Sequence, residues 1–176
     1  MISVLIPSQN SERALVATLS ALVSGSAEGL LREVILADGG STDGTAKIAD
    51  AAGCEFRALP GGRDARLRTA AKNARGTWLL VLDPASVLEE GWTREVAKFV
   101  ETAERAGPAD RRAAAFRYAV DGYGLAPRLR EIAVAARVAL TGRPLPEQGL
   151  LIAKQAFQSG RTGRAVILRT RVILSA

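Results

Sequence analysis

The sequence predicts a single α/β domain in which helices cover both faces of a mostly parallel, twisted sheet. Three apolar runs, over 2–6, 34–37 and 78–82, have the length of buried strands, and each is followed by turn residues. Segments of helical composition separate these runs, and such alternation favours right-handed β-α-β crossovers with parallel pairing. A chain of 176 residues is long enough for one domain with a sizeable core.

The first half of the chain supplies four predicted strands joined by three helices. A strand over 2–6 ends at Pro7, and Ser11 caps a helix over 12–24. The apolar face of that helix contains Leu15, Leu19, Leu22 and Val23. The other elements are strands over 34–37, 54–59 and 78–82 and helices over 44–52 and 63–74.

The second half is predicted to continue the same alternation. We expect a helix over 92–105, a strand over 112–120, a helix over 127–140, a short strand running into a helical turn over 149–157, and a last strand over 166–174. The apolar face of the helix over 127–140 contains Ile132, Val134, Ala135, Val138 and Leu140.

Composition excludes several kinds of chemistry. The chain has no histidine and one cysteine, Cys54, which excludes an internal disulfide, a multi-cysteine zinc site and histidine general bases. Acid–base or metal chemistry must therefore rest on carboxylates. No apolar run approaches the ~20 residues of a membrane span, and the N-terminus carries no signal segment, so we expect a cytoplasmic protein.

The net charge is +6, and the excess is arginine. Guanidinium groups suit phosphate, so the charge fits a phosphorylated ligand, nucleic acid or an anionic membrane surface. A GC-rich genome, which favours Arg and Ala codons, explains the same excess equally well. Because no aromatic pattern accompanies the basic residues, nucleic acid is not an expected partner.

The stretch 33–45 is the most informative part of the chain. Asp38 follows an apolar strand, Gly39 and Gly40 allow a sharp turn, and Ser41 or Asp43 can cap the next helix. A carboxylate at the carboxyl end of a parallel strand faces the crevice where such sheets bind ligands. The alternative, that Asp38 and Asp43 only shape a tight turn, stays open at this point.

The sequence Asp-Gly-Gly-Ser-Thr-Asp-Gly-Thr at 38–45 resembles the signature of family-2 glycosyltransferases, which have the Rossmann-like GT-A fold. The resemblance extends to 2–10 and 79–86. It implies a nucleotide-binding half over 1–95 and an acceptor-side half over 96–176. It also implies transfer of a sugar from a nucleotide-diphosphate-sugar donor to an acceptor hydroxyl.

The same resemblance implies which residues bind the nucleotide. They are Pro7, Asn10, Asp38, Gly39, Arg63 and Asp83. Asp38 would accept a hydrogen bond from the ring N–H of the base, and Arg63 would reach the nucleotide. As isolated residues, Asn10 is equally expected to form a turn and Arg63 to be a solvated surface charge.

The turn after 78–82 departs from the family pattern. Active relatives usually have Asp-x-Asp there, and the last carboxylate binds a divalent metal that bridges the diphosphate. Asp83 matches the first position, but Ala85 stands at the second and has no oxygen to offer, which leaves Asp83 as a weak ligand for Mn²⁺ or Mg²⁺. We therefore expect Arg63 and Arg66 to neutralise the diphosphate.

The tail resembles a subgroup of small bacterial family-2 enzymes that have Gly-Asp-Gln-Gly-Leu beside the donor sugar. Here the matching stretch is Pro-Glu-Gln-Gly-Leu at 146–150. The Glu-Asp pair that supplies the catalytic base in the family has no counterpart, because the chain is shortened near 158–164. Glu147 is the local candidate for the base. A nucleotide-sugar-binding or regulatory homologue with impaired catalysis is the alternative function.

The predicted helix over 127–140 bears on whether the protein contacts a membrane. It carries Arg128, Arg130 and Arg137 beside a wide apolar face. One interpretation is peripheral contact with the inner face of a membrane, near a lipid-linked acceptor. The other is a core helix with a solvated arginine face.

Overall fold

The computed structural model describes residues 1–107, 112–120, 125–160 and 163–174, without the side chains of 120, 125–128, 130 and 139. The elements in chain order are β1 (Ile2–Ser8), α1 (Glu12–Ala27), β2 (Leu31–Asp38), α2 (Thr45–Ala51), β3 (Glu55–Ala58), α3 (Arg63–Asn73), β4 (Trp78–Val81), β5 (Ser86–Leu88), α4 (Trp92–Arg105), β6 (Ala113–Val120), α5 (Leu125–Thr141), β7 (Leu150–Ala153), α6 (Lys154–Ser159) and β8 (Ala165–Leu174). A short 3₁₀ turn, Pro146–Gln148, precedes β7.

The strands of the described residues form one eight-stranded sheet in the order β3-β2-β1-β4-β7-β6-β8-β5. The β3-β2-β1-β4 part is parallel, as is the β6-β8 pair, whereas β7 runs antiparallel to β4 and β6, and β5 antiparallel to β8. Successive strands are added outward from β1 to β2 and then β3 at the edge of the sheet, and β4 is then added on the other side of β1. Right-handed crossovers therefore put α1 and α2 on one face of the sheet and α3 on the other. The predicted mostly parallel α/β domain is confirmed.

The core is built where the sheet meets the helices on either side. The central strands β1 and β4 are buried along their lengths, as expected for a parallel sheet covered on both faces. Trp78 of β4 packs edge-on against Phe99 of α4, with ring centroids 5.9 Å apart. The indole N–H of Trp92, at the start of α4, donates to the carbonyl of Ala21 in α1. These contacts pack α4 against β4 and α1.

The predicted end of β1 at Pro7 was wrong, because the strand continues to Ser8. The carbonyl of Leu5 accepts the N–H of Leu82, so the backbone groups of Leu5 face β4. Because backbone groups two residues apart in a strand point the same way, the nitrogen of Pro7 also faces β4. The ladder with β4 ends at the pair Leu5–Val81, so Pro7 interrupts no hydrogen bond.

Two apolar faces were only partly predicted. α1 buries Leu15, Leu19 and Leu22 but leaves Val23 63% exposed, and α5 buries Val134 and Val138 but leaves Ile132 and Leu140 64% and 84% exposed. In α5, Ile132 lies two residues before the buried Val134, and Leu140 lies two residues after the buried Val138. An offset of two residues turns a side chain about 200° around a helix, to the opposite side.

Candidate functional site

Asp38 ends β2 directly opposite Ser8 at the end of β1. Its Oδ1 accepts hydrogen bonds from the hydroxyls of Ser8 at 2.9 Å and Ser41 at 2.5 Å. Its Oδ2 accepts the N–H groups of Gly40 at 2.8 Å and Ser41 at 2.7 Å. Burial acts to raise the pKa of Asp38, but these hydrogen bonds, led by Ser41, outweigh it and lower the pKa. Asp38 is only 1% exposed. Its lowered pKa keeps the carboxylate ionised, and its hydrogen bonds to Ser8, Gly40 and Ser41 shape the turn.

Asn10 connects the loop after β1 to the turn after β2. Its N–H donates to Ser41 Oγ at 2.8 Å, and its Oδ1 accepts the N–H of Thr42 at 2.8 Å. Asn10 has φ 49°, a left-handed conformation that asparagine tolerates better than most residues. The residue is therefore a turn former, as one interpretation of the sequence predicts, and it lies at the crevice, as the other requires.

The carboxylates of Glu12 and Asp43 link the N-termini of α1 and α2, because each accepts a backbone N–H from the other segment. The N–H of Glu12 donates to Asp43 Oδ2 at 3.0 Å, and the N–H of Gly44 donates to Glu12 Oε2 at 2.9 Å. Asp43 Oδ1 also accepts the N–H of Thr45, the first residue of α2, at 3.0 Å, as predicted for a cap. The hydroxyl of Thr45 contributes most to lowering the pKa of Asp43. Ser11 occupies the N-cap position of α1, but its hydroxyl does not bond to the helix.

The guanidinium of Arg66 lies against the turn after β2. A Cβ built at Gly39 would lie 1.3 Å from Arg66 Nη1, so the missing side chain at Gly39 is what makes room for the arginine. Arg66 is 6% exposed, and its Nε has no hydrogen-bond partner among the described residues. Arg63, at the start of α3, likewise has a buried Nη2 for which those residues supply no partner. Two cationic side chains beside the crevice thus retain free donors.

Asp83 lies in the turn between β4 and β5. Its Oδ1 accepts the N–H of Ala85 at 3.3 Å, and its carbonyl accepts the N–H of Ser86 at 3.0 Å. The hydroxyl of Thr18 in α1 donates to the carbonyl of Pro84 at 2.7 Å. The turn is therefore fixed at the carboxyl end of β4, next to the end of β1.

Glu147 is brought to this turn from a distant part of the sequence. The buried hydroxyl of Ser86 donates to the carbonyl of Glu147 at 3.0 Å, across a separation of 61 residues. Glu147 Oε2 is buried, and in the described part of the chain it has no hydrogen-bond partner. The backbone at Glu147 therefore lies next to Ser86, which begins β5 directly after the Asp83 turn.

The next two residues hold Glu147 in place. Gln148 is buried, donates to the carbonyl of Phe116 in β6 at 3.1 Å and accepts the N–H of Leu145 at 2.9 Å. Gly149 has φ 67°, and a Cβ there would lie 2.8 Å from Leu82 Cδ2. A side chain at this position would be strained and crowded, so the glycine sets the path of the backbone past the crevice.

In the described part of the chain, the turn after β4 offers few protein ligands for a divalent metal. Asp83 Oδ1 is engaged by its own turn, Ala85 has no side-chain oxygen, and the hydroxyl of Ser86 is directed to Glu147. Among the described residues, no group of three or more Asp, Glu, Cys or His side chains could hold a metal ion. A hard divalent cation held by protein groups alone needs several oxygen ligands, which the described residues of this turn do not provide.

The structure groups the predicted site residues at neighbouring strand ends. Pro7, Asn10, Asp38 and Gly39 lie at the ends of β1 and β2, Arg63 begins the helix that packs on these strands, and Asp83 lies with Glu147 after β4. The sequence interpretation missed Ser8 as a partner of Asp38. Ser8 could have been found by aligning the ends of the two predicted parallel strands.

Comparison with protein families shows where the chain belongs. The model of glycosyl transferase family 2 matches residues 3–126, and the chain is a member of this family. No curated protein matches the chain.

Solved structures share the fold. Staphylococcus aureus TarS 1–349 superposes with a TM-score of 0.70 at 17% identity, covering 99% of this chain and 60% of that one. Glucosyl-3-phosphoglycerate synthase from Mycobacterium tuberculosis, in complex with Mn²⁺, UDP and glucosyl-3-phosphoglycerate, gives a TM-score of 0.63 at 16% identity, covering 100% of this chain and 72% of that one. At these identities the likeness shows the GT-A fold alone. The chain spans less than two thirds of the TarS chain.

Among the residues that the structure describes, no helix is both long and apolar enough to cross a bilayer.

Proposed function

We propose that the chain binds a nucleotide-diphosphate-sugar at the carboxyl ends of β1, β2 and β4 and transfers the sugar to an acceptor hydroxyl. Family membership supports the reaction class. The observation that carries the proposal is the buried Glu147 Oε2, which has no hydrogen-bond partner among the described residues, in a segment whose backbone carbonyl accepts the hydroxyl of Ser86. The M. tuberculosis synthase was crystallised with UDP and with UDP-glucose, which makes uridine nucleotides the first probes to use.

The nucleotide would lie over the turn after β2. Pro7 and Gly39 would present backbone to it, and Asn10 and Asp38 would supply the polar contacts. Because all four hydrogen bonds of Asp38 come from the protein, recognition of the base through its carboxylate requires Ser41 to rearrange. Binding thus exchanges an internal hydrogen bond for one to the ligand.

Arg63 and Arg66 would neutralise the diphosphate in place of a metal. Both have buried guanidinium nitrogens without partners among the described residues, and guanidinium pairs well with phosphate. Asp83 would lie near the ribose or the diphosphate. No step of the proposed reaction passes through a metal ion.

The transfer would be a direct displacement at the anomeric carbon. The acceptor oxygen forms a bond to that carbon as the bond to the diphosphate oxygen breaks, and the electron pair leaves with the nucleotide diphosphate. The carboxylate of Glu147 takes the proton of the acceptor hydroxyl. Arginine charge stabilises the leaving diphosphate.

A second function, donor binding with impaired catalysis, is favoured by Ala85. The residue removes the metal ligand that would otherwise assist departure of the diphosphate. Residues 148–176 contain no acidic residue, so Glu147 alone would do the work of the Glu-Asp pair that active relatives have. We therefore expect donor binding with slow turnover.

The finer assignments extend this proposal. Residues 1–95 would bind the donor and 96–176 the acceptor, in a cytoplasmic protein of the small bacterial subgroup. α5 exposes Leu129, Ile132 and Leu140, which supports contact with the inner face of a membrane carrying a lipid-linked acceptor. Of the arginines invoked for that contact, Arg137 is exposed, whereas the side chains of Arg128 and Arg130 lie outside those described.

A titration with UDP-, GDP- and ADP-sugars, monitored by calorimetry and by release of nucleotide diphosphate, tests the proposal. Binding of one class with release of the nucleotide supports transfer. Binding without release supports the impaired homologue. Absence of binding by every class contradicts both.

A further inference from the structure

A cavity of about 410 Å³ lies beside the proposed donor site, between the start of α3 and the chain that leads into Glu147. Arg63 lines it on one side, and Pro146, the residue before Glu147, lines it on the other. The described residues that line the cavity do not include Asn10, Asp38 or Asp83. The cavity is therefore distinct from the turns proposed to hold the nucleotide, and Arg63, which is proposed for the donor diphosphate, lies on the border between the two.

The rim of the cavity carries an excess of positive charge. Arg63, Arg68 and Arg143 line it, and Asp64 is the acidic residue among the described lining residues. The side chain of Asp64 is 79% exposed and lies 3.9 Å from Arg63, too far for a strong ion pair. Neither Arg68 nor Arg143 has a side-chain hydrogen bond or ion pair with any described residue, and Arg63 Nη2 is buried without one. Because Arg63 is proposed for the donor diphosphate, the guanidinium groups of Arg68 and Arg143 are the ones available to bind a second anion.

The wall of the cavity is apolar. Leu67 of α3, Leu150 of β7 and Phe157 of α6 contribute side chains to it, and Pro144 and Leu145 contribute from the segment that follows α5. An inorganic ion would leave this surface uncovered, whereas a ligand with an apolar body would bury it. An apolar wall and an arginine rim together fit a ligand that has an anionic group attached to an apolar body, that is, an amphiphilic anion.

Most of the lining belongs to this chain rather than to the common part of the family. The family model matches residues 3–126, whereas the segment 142–146 and the residues from β7 to β8 lie beyond it. Most of the described lining residues therefore come from 96–176, the half proposed above to bind the acceptor, and the rest come from α3 and β4.

We propose that this cavity is the acceptor site and that it selects an acceptor in which a phosphate-type anion is attached to an apolar body. The inference rests on the proposed function, since it takes Glu147 as the base, and Pro146, which lines the cavity, directly precedes Glu147 in the chain. Arg68 and Arg143 hold the anion, the apolar wall holds the body, and the acceptor hydroxyl faces Glu147. Such an acceptor is either a short phosphate ester or the head of a lipid-linked phosphate.

Calorimetry with n-hexyl phosphate, inorganic phosphate and 1-hexanol tests the cavity without relying on turnover. Hexyl phosphate is expected to bind more tightly than either fragment, because only the ester uses both the rim and the wall. Arg68→Gln and Arg143→Gln are each expected to weaken it about tenfold, the effect of losing one charge-assisted hydrogen bond. Both residues are exposed and unpaired, so the variants should fold. Arg94→Gln, which changes an exposed arginine of α4 outside this lining, serves as the matched control.

UDP titrations of the same variants separate the two proposals. UDP affinity should be unchanged in Arg68→Gln and Arg143→Gln, and saturating UDP should not displace hexyl phosphate. Displacement by UDP would show that the cavity is part of the donor site and would overturn the inference. If UDP binds and hexyl phosphate does not, the proposed role of the cavity is wrong and the donor site stands. If hexyl phosphate binds and UDP does not, the donor assignment is wrong, and the acceptor role of the cavity is wrong with it.

Decyl phosphate below its micelle concentration distinguishes the two sources. Affinity equal to that of hexyl phosphate indicates a short ester, and higher affinity indicates a lipid-linked phosphate that extends beyond the cavity. Either result supports the proposed chemistry. Weaker binding of both esters than of inorganic phosphate contradicts it.

Discussion

The turn after β2 and the segment around Glu147 are both polar, but they use their polar atoms differently. Asp38 accepts hydrogen bonds at both oxygens, and the neighbouring Asp43 and Asn10 are engaged by the loops around them. Glu147 Oε2, by contrast, is buried without a partner among the described residues, as are nitrogens of Arg63 and Arg66. The most recognisable motif therefore builds the crevice, and groups outside it carry the unused binding capacity. Unsatisfied buried polar atoms cost free energy and are the atoms that a ligand would satisfy.

The largest effect is expected at the unpartnered carboxylate. Glu147→Gln keeps the shape of the side chain but removes the base, so any residual transfer should fall about 10²- to 10⁴-fold while UDP affinity is unchanged. Single-turnover release of the nucleotide measures this. Glu90→Gln, at an exposed carboxylate before α4, is the control. Rapid transfer that survives Glu147→Gln would place the base elsewhere.

Asp38 tests the other side of the comparison. Asp38→Ala leaves Ser8, Gly40 and Ser41 without their acceptor, and the free energy of unfolding should fall by about 3 kcal/mol. If Asp38 also binds the base, UDP affinity should fall about ten- to a hundredfold.

Urea unfolding and UDP titration separate the two roles of Asp38. Asp50→Ala, at an exposed residue of α2, is the matched control. Lost stability with unchanged UDP affinity in the folded variant would confine Asp38 to the turn. Unchanged stability would contradict the account of the turn itself.

The contact between Gly39 and Arg66 predicts a smaller, coupled effect. Gly39→Ala should destabilise the fold by about 1–3 kcal/mol, because its Cβ overlaps the guanidinium. In the background of Arg66→Ala the same change should cost at least ~0.5 kcal/mol less. A double-mutant cycle of urea unfolding measures the coupling. Strictly additive effects would show that Arg66 does not occupy the space over Gly39.

The pH dependence of stability should follow the carboxylates that are satisfied. The folded-state pKa of Asp38 is lowered from its ordinary value of 3.8, so its contribution is fully present above that value and is lost as pH falls through the folded pKa. The free energy of unfolding of the wild type should therefore fall below pH 3.8 more steeply than that of Asp38→Ala. Parallel curves would contradict the assignment.

The parts of the fold that depend on local pattern could be predicted, and the parts that depend on distant partners could not. Apolar runs and turn residues located β1, β2 and β4 to within a few residues, and α4 was predicted with the observed bounds Trp92–Arg105. β5, only Ser86–Leu88, was missed, because it is too short to show alternation and pairs with β8 from the far end of the chain.

The same limit applies to the site. Glu147 and Asp83 could be proposed from resemblance, but the hydrogen bond that brings Glu147 to Ser86 joins residues too far apart for sequence spacing to reveal. The burial of Arg66 follows from the missing side chain at Gly39, a contact between two elements that no single periodicity encodes. Arg143 gave no signal, because it stands in a loop whose neighbours are set by the packing of α3 and α6.

The central claim is that arginines, not a metal, neutralise the diphosphate in this crevice, and the most direct measurement is UDP affinity with Mn²⁺ and with EDTA. The wild type should give dissociation constants that agree within about threefold in the two conditions and that weaken as salt rises, since guanidinium–phosphate attraction is screened. Ala85→Asp, which restores the missing carboxylate, should gain affinity when Mn²⁺ is added and provides the positive control. A rise of about a hundredfold with Mn²⁺ in the wild type, a gain of roughly 2.7 kcal/mol, would mean that other residues supply a metal site and would contradict the account.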